Sequence, residues 1–429
     1  MTADWLSGTP AANSAQPARR LFRIVNGSTP KSGETQYWDG NIPWVTPDDL
    51  GKIDGSVVSH TRRAITEAGL ASCGTTMVPP GSVLVSTRAP IGYVAIAGTA
   101  LCTNQGCKSL VATAPTHAPY YYYVFAAATP ELRARGRGTT FQELSTSEFS
   151  EVRVPAPDYA TQTRIADFLD RKTAAIDALI AKKERLIELL EEKRQALITQ
   201  AVTKGLDPNV PMKDSGIEWL GEIPAHWSVT KPKFACSRIV DGVHHTPNYV
   251  DDGVPFVTVK NLTAGPGISL EDTKFVSEAD HAQLIRRAHP ERGDVLISKD
   301  GTLGVTRVIE TETAFSIFVS VALLKLRPNL LRPWFLRYCF ESDALWQQFE
   351  SRKSGSGLKH LILSDIGDVV TPCPPLHEQD SIVRATRQRM DHIEKTRDSI
   401  LDQVGRLREY RQALITAAVT GQLDVSEAS

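Results

Sequence analysis

The chain has 429 residues, of which 41% are hydrophobic and 23% are charged, with a formal net charge of −1. This composition is sufficient for hydrophobic cores, and the length is typical of about two to four domains. No apolar run approaches the ~18 residues of a membrane span, and the first 20 residues lack a signal peptide's apolar core, which predicts a cytoplasmic protein. The balanced charge gives no indication of nucleic acid, since an isolated DNA-binding domain is usually basic.

Residues 1–157 are predicted to form a first globular domain. Residues 83–86 and 93–96 have the apolar, β-branched composition of buried strands, and residues 119–128 have that of a helix. Glycine-rich turns such as residues 136–138 interrupt the pattern. The mixture of short strands and short helices indicates the α+β class, without fixing the strand order.

A long helix is predicted next, at residues 158–206. Residues 161–204 contain neither proline nor glycine, and apolar residues recur with coiled-coil-like spacing on one face, Leu179 and Leu186 among them. The other face is charged. Such a stripe must be buried against a partner.

The second half of the chain repeats the first. Residues 194–203 read RQALITQAVT and residues 411–420 read RQALITAAVT, so nine of ten positions match at an offset of 411 − 194 = 217. Residues 42–50 match residues 254–262 at an offset of 254 − 42 = 212. Changes of offset belong in loops, where insertions are tolerated. The order is therefore globular, helix, globular, helix, produced by duplication.

The repeat predicts a second globular domain at residues 207–373 and a second long helix with a tail at residues 374–429. An antiparallel helix pair needs no long connection, which predicts two α+β domains separated by long antiparallel coiled-coil helices and related by a pseudo-two-fold axis. We expect the helix-pair seam to contain these residues: Ile176, Leu190, Leu197, Ile393, Ile400, Leu407, Leu414.

Basic residues beside glycine-containing turns recur at equivalent places in the two globular copies. Glycine allows close approach to a phosphate, and Arg and Lys bind phosphates or fork onto guanine. A solvated surface loop is the alternative interpretation, and it weighs most for Lys260. The predicted DNA-binding residues are Arg88, Arg135, Arg137, Thr139, Thr140, Lys260, Lys299, Arg352, Lys353, Ser356, Lys359 and His360.

Metal and catalytic motifs have little support. The cysteines form no CxxC pair, so we expect reduced, packed thiols, and the His244-His245 pair is more typical of a loop than of a metal site. Residues 41–44 resemble the Asn-Pro-Pro-aromatic loop of adenine methyltransferases, but Ile42 replaces the first proline and no S-adenosylmethionine loop accompanies it. No P-loop occurs. We expect no catalytic residue, no metal and no cofactor in this chain.

Three stretches resemble the specificity subunit of type I restriction-modification enzymes. Residues 214–227, DSGIEWLGEIPAHW, are similar to the usual opening of a target-recognition domain. Residues 372–379, PCPPLHEQ, resemble the entry into the family's conserved helix, and the two RQALIT segments resemble its exit. Together they cover the chain in the family's order.

The resemblance implies a function and a set of partners. Each recognition domain would read one half of a bipartite sequence in double-stranded DNA, and the helices would set the unread gap. Two methyltransferase (modification) subunits using S-adenosylmethionine would dock on the helices, and ATP-dependent restriction subunits requiring Mg2+ would join for cleavage. A non-DNA scaffold that spaces two protein-binding domains and a fused catalytic enzyme are the alternatives.

Overall fold

A computed structural model of the chain describes residues 5–53, 55–138, 142–351 and 360–425. Its contacts divide the chain into two compact units. Unit 1 contains residues 1–184 and 402–429, and unit 2 contains residues 185–401. Both units combine short strands with helices, and two long helices occur, which confirms the predicted fold class.

Unit 1 contains a five-stranded sheet of order β2-β9-β6-β7-β4, a three-stranded sheet β5-β3-β8 and a β1-β10 pair. Its strands are β1 Gln16–Pro17, β2 Phe22–Asn26, β3 Trp38–Val45, β4 Val57–Val58, β5 Ala64–Ile65, β6 Val83–Thr87, β7 Ile91–Ala97, β8 Cys102–Thr103, β9 Cys107–Ala112 and β10 Arg153–Val154. Its short helices are α1 Pro47–Gly51, α2 Glu67–Ala71, α3 Ala118–Ala127, α4 Thr129–Arg135 and α5 Thr146–Ser150.

Unit 2 contains two four-stranded sheets, β14-β21-β18-β19 and β15-β17-β16-β20, with the pairs β13-β22 and β11-β12. Its strands are β11 Met212–Asp214, β12 Glu222–Pro224, β13 Ser228–Thr230, β14 Cys236–Asp241, β15 Tyr249–Val250, β16 Val254–Val257, β17 Lys274–Val276, β18 Val295–Ser298, β19 Thr306–Val308, β20 Ser316–Ile317, β21 Val321–Leu326 and β22 Thr371–Cys373. Its short helices are α7 Pro232–Ala235, α8 Val259–Thr263, α9 Glu278–Leu284, α10 Pro333–Glu341, α11 Asp343–Ser351 and α12 Leu363–Asp368.

The two units share one topology. The order β2-β9-β6-β7 in unit 1 corresponds to β14-β21-β18-β19 in unit 2. In the other sheet of each unit, β3 pairs antiparallel with β5 and parallel with β8, and β16 pairs antiparallel with β17 and parallel with β20. The predicted duplication therefore extends to the strand pairing of each globular region.

The central strands carry the apolar runs that predicted them. Every residue of β6 and of β18 is buried, because both faces of each strand are covered. A strand buried on both faces reads as a continuous apolar run instead of an alternating one. Ser86 and Ser298 end these runs and are buried too.

The long helices are α6 Tyr159–Lys204 and α13 Leu376–Val419. In unit 1 they pack antiparallel, since Asp177 pairs with Arg411 at 2.9 Å and Glu184 pairs with Arg408 at 2.8 Å. In unit 2, Ile198 of α6 and Ile382 of α13 belong to one hydrophobic core.

The buried seam is narrower than the apolar stripe. Ile176, Ile393, Ile400 and Leu414 are buried, and Leu190, Leu197 and Leu407 are half-buried. Leu179 and Leu186 are 42% and 44% exposed, so the expectation that they belong to the buried face was wrong.

The described residues were also searched for membrane-spanning helices and for metal-binding groups. No described helix is both long and apolar enough to cross a bilayer. Among the same residues, no group of three or more His, Cys, Asp or Glu side chains is arranged to hold a metal ion. All six cysteines are free thiols.

Candidate nucleic-acid interface

Each unit has the same turn after its central buried strand. The Ser86 hydroxyl donates to the Pro90 carbonyl and accepts from the Tyr93 amide, each at 2.8 Å. The Ser298 hydroxyl donates to the Thr302 carbonyl at 2.5 Å and accepts from the Val305 amide at 2.8 Å. These buried serines fix the turns that carry Arg88 and Lys299.

A glycine in each turn allows a helix to approach closely. Gly92 and Gly304 have φ angles of +107° and +77°. A Cβ atom at Gly92 would lie 2.3 Å from a methyl carbon of Thr129, and one at Gly304 would lie 1.8 Å from the Trp346 ring. Both the positive φ and the close contact therefore require glycine.

In unit 1, the predicted arginines lie around this turn and already have carboxylate partners. Arg88 lies 3.9 Å from Glu143, and Arg137 donates to Glu148 at 2.7 Å. The Arg137 side chain is 83% exposed. Arg135 is different, since it is 21% exposed and held at 2.6 Å by the buried Glu131. Arg137 and Arg88 are therefore better placed for a ligand than Arg135.

Lys108, which the sequence analysis did not single out, lies in the same region. It is 5% exposed, and its ammonium donates to Asn26 at 3.0 Å and to Thr146 at 2.9 Å. Burial lowers the pKa of Lys108. Its position in an apolar strand, next to Cys107, was the signal available in the sequence.

In unit 2, Lys299 is tied to two carboxylates. Its ammonium lies 3.2 Å from Asp300 and 3.6 Å from the buried Asp241. Although burial opposes ionisation, hydrogen bonds from Arg287 and His244 hold the pKa of Asp241 below its usual value. His244 belongs to the same cluster, since its Nε2 lies 3.3 Å from Asp241 and 3.0 Å from Arg287.

The chain returns to the turn in the same way in both units. The Leu144 amide donates to Thr87 at 2.9 Å, and the Leu361 amide donates to Lys299 at 2.8 Å. The exposed His360 pairs with Asp300 there through the backbone. Six of the predicted contacts between these segments lie outside the described residues: Thr139, Thr140, Arg352, Lys353, Ser356, Lys359.

Two other candidates lie elsewhere. Lys260 is on α8, which follows β16, and its ammonium lies 2.6 Å from Asp272. Trp44, the aromatic residue of the Asn41-Ile-Pro-Trp44 segment, is 5% exposed on β3 and donates to the Ser28 carbonyl at 2.9 Å. A buried ring of this kind is not available to stack on a base.

Known proteins resemble this chain in sequence. Residues 20–189 match the family model of the type I restriction modification DNA specificity domain. The MjaIX type I restriction enzyme specificity subunit of Methanocaldococcus jannaschii is 29% identical over 420 residues, which cover 95% of this chain and 92% of that protein.

Solved structures resemble it in fold. A chain from a structure of a type I R-M system has a TM-score of 0.73 at 18% identity and covers 95% of this chain and 98% of its own length. The HsdS subunit from Thermoanaerobacter tengcongensis has a TM-score of 0.52 at 17% identity, with 95% and 97% covered. This chain is thus similar in sequence to type I restriction enzyme specificity subunits and similar in fold to HsdS, which confirms the predicted resemblance.

Proposed function

We propose that this chain is the DNA sequence-specificity subunit of a type I restriction-modification complex. The observation that carries the proposal is the recurrence of one recognition architecture in two units, each with a basic residue on the turn after its central strand. Two DNA-recognition units on one chain are suited to a DNA site that consists of two separate parts. Each unit would read one half, and the long helices would set the gap.

The cations would exchange partners when DNA binds. Glu148 and Glu143 hold Arg137 and Arg88 in position, and exposed ion pairs of this kind contribute little to stability. A phosphate or a guanine edge can replace the carboxylate as acceptor. The net charge of −1 is compatible with this function, because acidic residues elsewhere in the chain and beside the turns offset the basic loops.

The chemistry would reside in partner subunits. Two modification subunits would supply S-adenosylmethionine-dependent methylation, and restriction subunits would supply ATP- and Mg2+-dependent cleavage. This chain would bind no cofactor and contribute no catalytic residue. Its place of action would be the cytoplasm, where cellular DNA is accessible.

Co-purification with modification subunits tests the proposal. The assembled complex should methylate DNA at a defined sequence, and neither this chain nor the modification subunits alone should do so. Methylation or cleavage by the chain alone would contradict the non-catalytic role. A complex that forms but shows no preference among DNA sequences would favour the alternative of a non-DNA scaffold.

A further inference from the structure

A cation stacked on one of two neighbouring aromatic rings lies on the three-stranded sheet of unit 1. The Arg63 guanidinium lies 3.5 Å from the centroid of the Trp38 ring. The Trp38 and Trp44 rings meet edge to face, with centroids 5.1 Å apart. Both rings are buried and Arg63 is exposed.

Unit 2 has a similar group of side chains. The Lys274 ammonium lies 4.2 Å from the centroid of the Tyr249 ring. The Tyr249 and Phe256 rings meet edge to face, with centroids 5.9 Å apart. Lys274 is exposed, Tyr249 is 37% exposed and Phe256 is buried.

The strand register makes the two groups equivalent. In unit 1, Trp38 and Ile42 both lie opposite Ile65, and in unit 2, Tyr249 and Val254 both lie opposite Val276. Arg63 and Lys274 each come two residues before this shared partner. The inner rings also correspond, since each follows a proline, Pro43 or Pro255. Each unit thus has one cation and two aromatic rings at equivalent positions, although the amino acid differs at all three positions.

These cations differ from the predicted DNA contacts in their partners. Among the described residues, no carboxylate lies within 4.0 Å of Arg63 or Lys274. Arg88, Arg137 and Lys299 are each ion-paired. A ring orients a cation through its face and leaves the N–H donors open to another acceptor.

We propose that Arg63 and Lys274 are phosphate-positioning residues for the two DNA half-sites, oriented by Trp38 and Tyr249. The proposal rests on the proposed function. Two units that read different base sequences need different base contacts, but every half-site has the same phosphate backbone. The cation–aromatic group occurs in both units and is therefore suited to contact the phosphate backbone. The turns differ in sequence between the units and are therefore suited to contact the bases.

The test uses the complex of the full chain with its modification subunits. Arg63→Ala and Lys274→Ala are compared with Arg62→Ala and Arg292→Ala, which remove exposed arginines paired with Asp48 and Glu312. Affinity for a duplex containing the methylated site and for one of equal length without it is measured across salt concentrations. Thermal melting of each variant checks that folding is unchanged.

Arg63→Ala and Lys274→Ala should each weaken binding to both duplexes by the same factor, about five- to tenfold at 0.1 M salt, and lower the log–log salt slope by about 0.9. The sequence that is methylated should not change. The control variants should keep the affinity and the salt slope of the unsubstituted complex. An unchanged slope, an altered sequence preference, or an equal loss in the controls would overturn the assignment while leaving the proposed function intact. Absence of any sequence preference in the unsubstituted complex would overturn both.

Discussion

At the scale of single residues, two buried glutamines hold the starts of the long helices. Gln379 accepts from the Arg332 amide and donates to the carbonyls of Leu330 and Pro374, each at 2.8 Å. Gln162 accepts from the His117 amide and donates to Pro157, both at 2.8 Å. The two glutamines lie at the offset of the helix repeat, 379 − 162 = 217. This match has a structural cause, because each glutamine satisfies backbone groups where a helix meets its globular unit.

Replacing Gln379 with leucine should destabilise the chain. The side chain is 0% exposed, so the change removes three hydrogen bonds and leaves backbone groups without partners, at a cost of about 2–4 kcal/mol. Urea denaturation would measure the free energy of unfolding. Gln388→Leu, on an exposed position of the same helix, is the control. Equal midpoints for the two variants would show that the Gln379 contacts contribute nothing.

The sequence predicted where the basic residues lie but not their partners. Arg88 and Lys299 were found because each follows a strand-like run and precedes a glycine. The carboxylate partners that are distant in sequence, Glu143 and Asp241, could not be predicted, since long-range strand pairing brings them to the turns. The aromatic–cation groups were missed for the same reason, because Trp38 and Arg63 come together through a register irregularity in β3.

At the scale of elements, the long helices were the most predictable part. The apolar stripe and the lack of proline and glycine predicted a helix at residues 158–206, and α6 contains Tyr159–Lys204. The buried members of the stripe were less predictable, because a straight helix of 3.6 residues per turn drifts against a seven-residue repeat. Leu186 is therefore exposed and Ile198 is buried. Two-residue strands such as β5 and β8 carry too little pattern to be recognised.

A charge in the seam should disrupt the helix pair in unit 2. Ile393 is 7% exposed, so Ile393→Lys buries an unpaired ammonium at a cost of roughly several kcal/mol. Leu401→Lys on the same helix is the control, since Leu401 is 50% exposed. Circular dichroism during thermal unfolding would compare them. If Ile393→Lys melts like the parent chain while Leu401→Lys does not, the seam has been placed on the wrong face.

At the scale of the whole molecule, the repeat predicted that the globular regions are copies. It did not predict their strand order, because pairing such as β2 with β9 joins residues 108 − 26 = 82 to 112 − 22 = 90 positions apart and depends on how the core packs. The sequence offset between matching residues changes in loops and stays constant along the long helices. An insertion in a loop is tolerated, whereas an insertion in a helix would shift its packing register. Each long helix has residues in both compact units.

The measurement that tests the account most directly is a map of methylated sites. The complex of this chain with modification subunits should methylate a sequence in two parts separated by unspecified base pairs. Four residues inserted after Ala181, with four more after Asp398 to preserve the register, lengthen the helices by roughly 6 Å. Both half-site sequences should remain. The gap between them should grow by about one or two base pairs, because each base pair of B-DNA adds about 3.4 Å along the duplex axis. A single uninterrupted site, or an unchanged gap at full activity, would contradict the account.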